Sequence, residues 1–202
     1  MKTKTILALF VMLASMLMPS VWAQSAPEKL IQDTTQDVLD TIKAHHQEFL
    51  DDPGKLYDMV DQKILPHFDF ERMTNLALGR YKRKVKGEKK KQLVAAFRNL
   101  LVRTYGKALL EYNDQEVDYL PMRGKLARGE VTIRTEIQQQ GGFPIPINYD
   151  LYLKDGQWKV YDLSIDKVSM VTNYRTTFAR EIKSKGVDSL IKTLQDRNKE
   201  ER

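Results

Sequence analysis

Ile145-Pro146-Ile147-Asn148-Tyr149-Asp150-Leu151-Tyr152-Leu153-Lys154 is the stretch that decides the fold. Ile145, Ile147, Tyr149, Leu151 and Leu153 take every second position, and polar or turn-compatible residues fill the gaps. A period of two puts one set on each face of a strand. Asp155-Gly156 follows, a strong hairpin turn. Beyond it, Trp158 and Val160 begin a return strand that runs to about Ile165. The apolar phase slips between Val160 and Leu163, which predicts a bulge or a bend. Upstream, Val131, Ile133 and Ile137 alternate with Thr132, Arg134, Glu136 and Gln138. Val117 and Tyr119 alternate with Asp118, and Gly141-Gly142 marks a turn.

Outside this block the period lengthens to that of a helix. From Glu28 to Leu50 the apolar stripe reads Ile31, Val38, Ile42, His45 and Phe49, and Pro53-Gly54 ends it. A short helix with Leu56, Val60 and Ile64 inward closes at Pro66. Asp69 suits the N-cap of a third helix carrying Phe70, Met73, Leu76 and Ala77, with Gly79 at its C-terminal turn. After Gly87 a long helix is expected to reach about Tyr112. After Lys167 another places Val168, Val171, Tyr174, Phe178 and Ile182 on one face. Gly186 breaks it, a last short helix holds Val187, Leu190, Ile191 and Leu194, and Arg197 to Arg202 reads as a frayed, charged tail. There is no internal repeat or linker. The expectation is one α+β domain, a curved antiparallel sheet of about four strands with helices over its apolar face.

Lys2 and Lys4 precede the apolar run Ile6 to Met18, and Val21-Trp22-Ala23 offers small residues where a signal peptidase reads. That run is shorter than the ~20 residues a membrane span needs, so a signal peptide over 1–23, cut after Ala23, is expected, with the folded domain over 24–202. With no cysteine, the chain forms no disulfide framework, thiolate metal site or lipidated anchor. It has three histidines, His45, His46 and His67; the first two are adjacent and diverge on a helix. No phosphate-cradling glycine loop, nucleophile elbow or zinc motif is present. The formal net charge is +6. From Lys82 to Lys91 every residue but Val85, Gly87 and Glu88 is basic, namely Lys82, Arg83, Lys84, Lys86, Lys89, Lys90 and Lys91. Such a run reads as a solvated face or as a docking surface for an acidic partner or anionic headgroups, and export argues against nucleic acid.

Several segments together resemble a known family. They are Ile64-Leu65-Pro66-His67-Phe68-Asp69-Phe70, Leu78-Gly79-Arg80-Tyr81, and Phe97-x-x-Leu100-Leu101-x-x-Thr104-Tyr105. Later come Val168-Ser169-Met170-Val171-x-Asn173-Tyr174-Arg175-x-x-Phe178 and Gly186-Val187-Asp188-x-Leu190-Ile191. Their order and spacing closely resemble the MlaC family, the periplasmic phospholipid-binding proteins of toluene tolerance. Tyr81 stands where the family often has Trp, and the basic run after it departs from the pattern.

The resemblance implies an enlarged NTF2-like cone enclosing an apolar cavity, with the lipid tails between sheet and helices. It implies a carrier, not an enzyme, whose cargo is a phospholipid and which needs no cofactor. Its implied partners are an outer-membrane lipoprotein–porin complex and an inner-membrane ABC transporter with an MCE-domain ring, and the outcome is outer-membrane lipid asymmetry. The lining expected on that basis is Val131, Ile133, Ile137, Ile147, Tyr149, Leu151 and Val160 from the sheet, with Phe97, Leu101, Tyr105, Val171 and Tyr174 from the helices. Two other classes stay open on the residues alone. One is an enzyme acting on a small apolar substrate through Asp150 or Asp162; the other is a binder of hydrophobic polypeptide.

Overall fold

Ile147 faces Thr135 on one neighbouring strand and Ile165 on the other, and the rest of the sheet follows from that register. A computed structural model describes residues 26–112 and 114–200; the leader expected over 1–23 lies outside them. The strands are β1 (Val117–Lys125), β2 (Glu130–Ile137), β3 (Ile145–Lys154), β4 (Gln157–Ile165) and β5 (Val168–Ser169). They pair antiparallel in chain order as one five-stranded meander. The two-residue β5 goes beyond the four strands expected.

The phase slip in β4 is a bulge. Asp150 pairs with Asp162 and Leu151 with Val160, which leaves Tyr161 without an opposite residue. The extra residue keeps Val160, Leu163 and Ile165 on the same inner face. β1 carries a second irregularity between Leu120 and Arg123. Pro121 sits there, on an edge strand where its missing N–H costs little. Gly124 is obligatory: its φ is +98°, and a Cβ would come within 2.7 Å of the Glu130 carbonyl across the ladder.

Among the described residues six α-helices cover the sheet: α1 (Ala26–Asp51), α2 (Pro53–Lys63), α3 (Phe70–Leu78), α4 (Gly87–Gly106), α5 (Met170–Lys185) and α6 (Val187–Glu200). Their ends follow the local chemistry. Asp52 and Ser169 cap α2 and α5 by accepting from the Gly54 and Thr172 amides. Four expectations change, the first being Val168, which lies in β5 and faces solvent ahead of α5 and not on a helix face. α4 ends at Gly106 and tightens into a 3-10 turn over Lys107–Glu111, short of Tyr112. α6 runs on to Glu200, so Arg197 and its neighbours are helical. His45 leaves the apolar stripe: α1 has a non-helical φ of −123° there, and the residue is exposed against Glu48. The kink turns His46 inward instead, to the Leu110 carbonyl at 3.1 Å.

Asp69 ties α3 to the sheet. Its amide donates to the Val160 carbonyl (2.9 Å), filling the free edge of β4 beyond β5. Its carboxylate accepts from the Arg72 amide (2.9 Å), the Lys154 ammonium (2.8 Å) and the Tyr152 hydroxyl. Burial opposes the charge, but the Lys154 and Tyr152 hydrogen bonds and the Arg72 amide outweigh it and hold the carboxyl below its ordinary value. Arg72 lies 3.9 Å over the Tyr152 ring and 4.2 Å over Tyr161. At the far end of α3, Arg175 donates from Nε to the Leu76 carbonyl (2.9 Å) and lies across Gly79, whose φ is +52°.

The core is divided. One cluster joins α3, α4, α5 and α6 around Met73, Leu93, Phe97, Leu100, Phe178 and Leu190. A second joins α1 and α2 through Val38, Ile42, Phe49, Leu56 and Val60. The third sets Ile31 of α1 on Val131, Ile133, Leu151 and Val160 of the sheet.

Two outcomes follow. Leu151 is fully buried, so Leu151→Ala should cost about 2–5 kcal/mol in urea unfolding. For Asp69 the folded carboxyl is more acidic than the unfolded one. Its stabilisation is complete above the unfolded value and is lost as pH falls through the folded one. The stability gap between the parent and Asp69→Asn, which keeps a capping oxygen, should hold steady from neutral pH to about 5 and shrink below about 4.

Candidate functional site

Between the three clusters lies a cavity of about 450 Å³. A packing defect holding one water needs only ~10–15 Å³, and ligand sites commonly enclose ~300–1,000 Å³. The sheet supplies one wall through Val117, Thr135, Ile137, Ile145, Ile147, Tyr149, Val160, Leu163 and Ile165. α1 supplies Ile31, Thr34, Thr35, Val38 and Leu39, and α2 with the turn after it supplies Val60, Ile64, Leu65, His67 and Phe68. Phe70 and Met73 of α3, Leu101, Val102 and Tyr105 of α4, Leu109 and Met170 complete the enclosure. Glu111, Tyr112, Gln115 and Gln139 form a polar edge.

Thr135, Tyr149 and Thr35 inside the chamber hydrogen-bond within the protein. Thr135 is buried and donates from its hydroxyl to the Ile147 carbonyl at 3.2 Å. Tyr149 keeps part of its surface open to the cavity yet sits deep among its neighbours. Burial pushes its phenol up to about 12, partly offset by hydrogen bonding to Thr135 and Thr35. It stays neutral at any physiological pH. Burial, then the nearby Lys159, lowers the His67 imidazole below its ordinary value, which favours the neutral form. Among the described residues Glu111 is the one carboxylate of the lining, and no Lys or Arg belongs to it. The chamber therefore suits an uncharged, apolar guest, with its one carboxylate among the described residues kept to the polar edge.

The expected lining divides in two. Leu101, Tyr105, Ile137, Ile147, Tyr149 and Val160 border the cavity. Phe97, Val131, Ile133, Leu151, Val171 and Tyr174 do not. Phe97 and Val171 are buried between helices, with Tyr174 packed on them and edge-on to Phe97 at 5.0 Å. Val131, Ile133 and Leu151 have the right phase, but Ile31 of α1 covers that end of the sheet. Leu151→Asp would accordingly unfold the protein rather than empty a chamber. Residues that sequence reasoning passed over include Thr34, Thr35 and Leu39, on the flank of the α1 stripe, and Phe68 and Phe70, which straddle the capping Asp69.

The carboxylates considered for catalysis are engaged elsewhere. Asp150 accepts from Thr132 Oγ1 at 2.6 Å, and burial raises its carboxyl above the ordinary value against the pull of that bond. Asp162 accepts from the Leu163 and Val171 amides and the Ser169 hydroxyl at the start of α5. Neither borders the cavity. Among the described residues no three His, Asp or Glu side chains gather as a metal site, and no helix is long and apolar enough to cross a membrane.

The basic run spans the connection between α3 and α4 and the first turns of α4, and none of its residues lines the cavity. Lys89 pairs with Asp188 (2.8 Å), Lys90 with Glu71 (3.7 Å) and Lys91 with Glu88 (3.8 Å). Lys82, Arg83, Lys84 and Lys86 point to solvent around the buried Val85.

A curved antiparallel sheet and a helical cover around an apolar chamber define a binding protein for a hydrophobic guest. The chain belongs to the MlaC family, whose model, described as MlaC protein, matches residues 32–196. It is 27% identical over 187 residues to a toluene tolerance protein of Pseudomonas putida, covering 92% of this chain and 86% of that one. It is 26% identical over 189 residues to the intermembrane phospholipid transport system binding protein MlaC of Haemophilus influenzae, covering 92% and 88%. Its fold is similar to that of a phospholipid-binding protein from Ralstonia solanacearum, solved in complex with a phospholipid. The TM-score is 0.79 at 32% identity, over 86% of this chain and 97% of that one. The Haemophilus relative is named as a binding protein of a transport system and the Ralstonia one as a phospholipid-binding protein.

Proposed function

We propose that this protein is a periplasmic phospholipid carrier that holds acyl chains in the chamber between sheet and helices. The observation that carries this reading is the apolar cavity of about 450 Å³ left where three core clusters fail to meet. The names of the Haemophilus and Ralstonia relatives point the same way. The signal-like segment over 1–23, with its cut after Ala23, supports delivery to the periplasm.

Two acyl chains carry roughly 30 methylenes, and at about 0.8 kcal/mol each their exposure to water costs on the order of 20 kcal/mol. A lipid does not cross an aqueous gap unaided against that barrier. A chamber walled by Ile147, Leu163, Ile165, Leu101 and Val38 replaces one apolar surroundings with another. Loading and unloading are then close to balanced, and direction is imposed from outside. In our reading the carrier moves lipid between an outer-membrane lipoprotein–porin complex and an inner-membrane ABC transporter with an MCE-domain ring, and so maintains outer-membrane lipid asymmetry. The exposed Lys82, Arg83, Lys84 and Lys86, with Lys89, Lys90 and Lys91 beside them, offer an acidic partner a docking surface remote from the chamber. No cofactor takes part; phospholipid is the cargo.

Ile147→Asp tests the proposal. It sets a carboxylate in the chamber wall, where an uncompensated charge costs several kcal/mol, so retention of phospholipid should fall about a hundredfold or more. Ile147→Ala, which only enlarges the chamber, should keep its cargo. Native mass spectrometry of the gently purified proteins reads the load, and circular dichroism reads the fold. A folded Ile147→Asp protein with a full phospholipid complement would refute the assignment.

A further inference from the structure

Phe143 is the most exposed large apolar side chain among the described residues, at 93% accessible against 58% for the next, Val168. It stands at the tip of the connection between β2 and β3. Gly141, with φ +74°, and Gly142 precede it, and Pro144 follows. In a chain with 30% charged residues, positions 137–149 carry no charge. Both limbs of this hairpin are cavity wall, Ile137 and Gln139 on one side and Ile145 and Ile147 on the other. The Gln138 amide donates to the Glu116 carbonyl at 2.9 Å, so the same rim continues into Gln115 and Tyr112. The bare ring therefore rises from the edge of the chamber.

What such a tip can engage is limited by its size and chemistry. One ring flanked by glycines offers far less than the ~800 Å² per partner of a stable protein interface. A lipid surface asks for less: an aromatic ring settles at the headgroup–acyl boundary, and uncharged neighbours follow it without a charge to desolvate. The glycines let the tip adapt, having no Cβ to restrict φ.

We propose that the hairpin tip at 140–144 is a lipid-surface probe. Phe143 enters the outer part of a bilayer leaflet beside the chamber's rim while a phospholipid passes in or out. This inference rests on the carrier reading and adds to it a direct contact with lipid.

The test uses the lipid-loaded protein and vesicles of phosphatidylethanolamine and phosphatidylglycerol. Phe143→Ala should slow phospholipid transfer between vesicles about tenfold or more, with the co-purified lipid load unchanged. Phe143→Trp should restore transfer. Its added fluorescence, taken as the difference from the parent with Trp158 alone in the folded domain, should be quenched by acyl-brominated lipid. Undiminished transfer by Phe143→Ala overturns the inference, whatever the quenching. So does slowed transfer without quenching of the tip, which would assign Phe143 to a protein contact. Absence of phospholipid from the parent protein would instead count against the carrier reading, and quenching at the tip would then still decide whether it meets the bilayer.

Discussion

Everything in this structure depends on the separation of three apolar clusters that a smaller or differently hung set of helices would have merged. α1 is 26 residues long, about 39 Å, and uses one length of its apolar stripe on the sheet and another on α2. Ile31 serves the sheet, whereas Val38, Ile42 and Phe49 serve α2. The remaining helices pack chiefly on one another through Phe97 and Phe178. Protein interiors are normally close-packed, and an unfilled void forfeits dispersion contacts along its walls. A chamber of this size persists because each wall is braced from behind by its own packed cluster. A guest would recover the contacts that the walls do not make with one another.

The bracing is specific at α3. Phe68 and Asp69 act as an extra piece of strand against Val160, and Asp69 at once caps α3 and anchors Tyr152 and Lys154. Arg175 closes the other end of the helix over Gly79. Three of the motifs that carry the family resemblance, those around Asp69, Gly79 and Arg175, are thus the fastenings of one short helix. Those polar groups stand outside the chamber's lining and hold up its wall. Function here resides in a shape, and the polar residues maintain it.

Much of this was readable from residue order. The alternation over 145–154 gave the strand, the Asp155-Gly156 turn gave the hairpin, and the phase slip between Val160 and Leu163 announced a bulge or a bend, which the register resolves as a bulge at Tyr161. Asp69 was legible as a cap because a short polar side chain preceded an apolar run. What periodicity could not convey was position along the strand. Val131, Ile133 and Leu151 share their phase with Ile137, Ile147 and Tyr149, and only the path of α1 over one end of the sheet separates packed core from chamber wall. Likewise Phe97, Val171 and Tyr174 lie on apolar helix faces, but their partners are other helices. The kink at His45 had no proline or glycine to announce it, and so the inward histidine was assigned one residue early.

An interior held open for a guest should carry that guest out of the cell on purification. Electron density at high resolution for the protein purified without delipidation tests it most directly. An occupied chamber should show continuous unbranched density running between Leu101 and Tyr105 on one side and Ile147 and Tyr149 on the other. A chamber closed by its own side chains at ordinary packing density, or filled by a hydrogen-bonded water cluster, would contradict it.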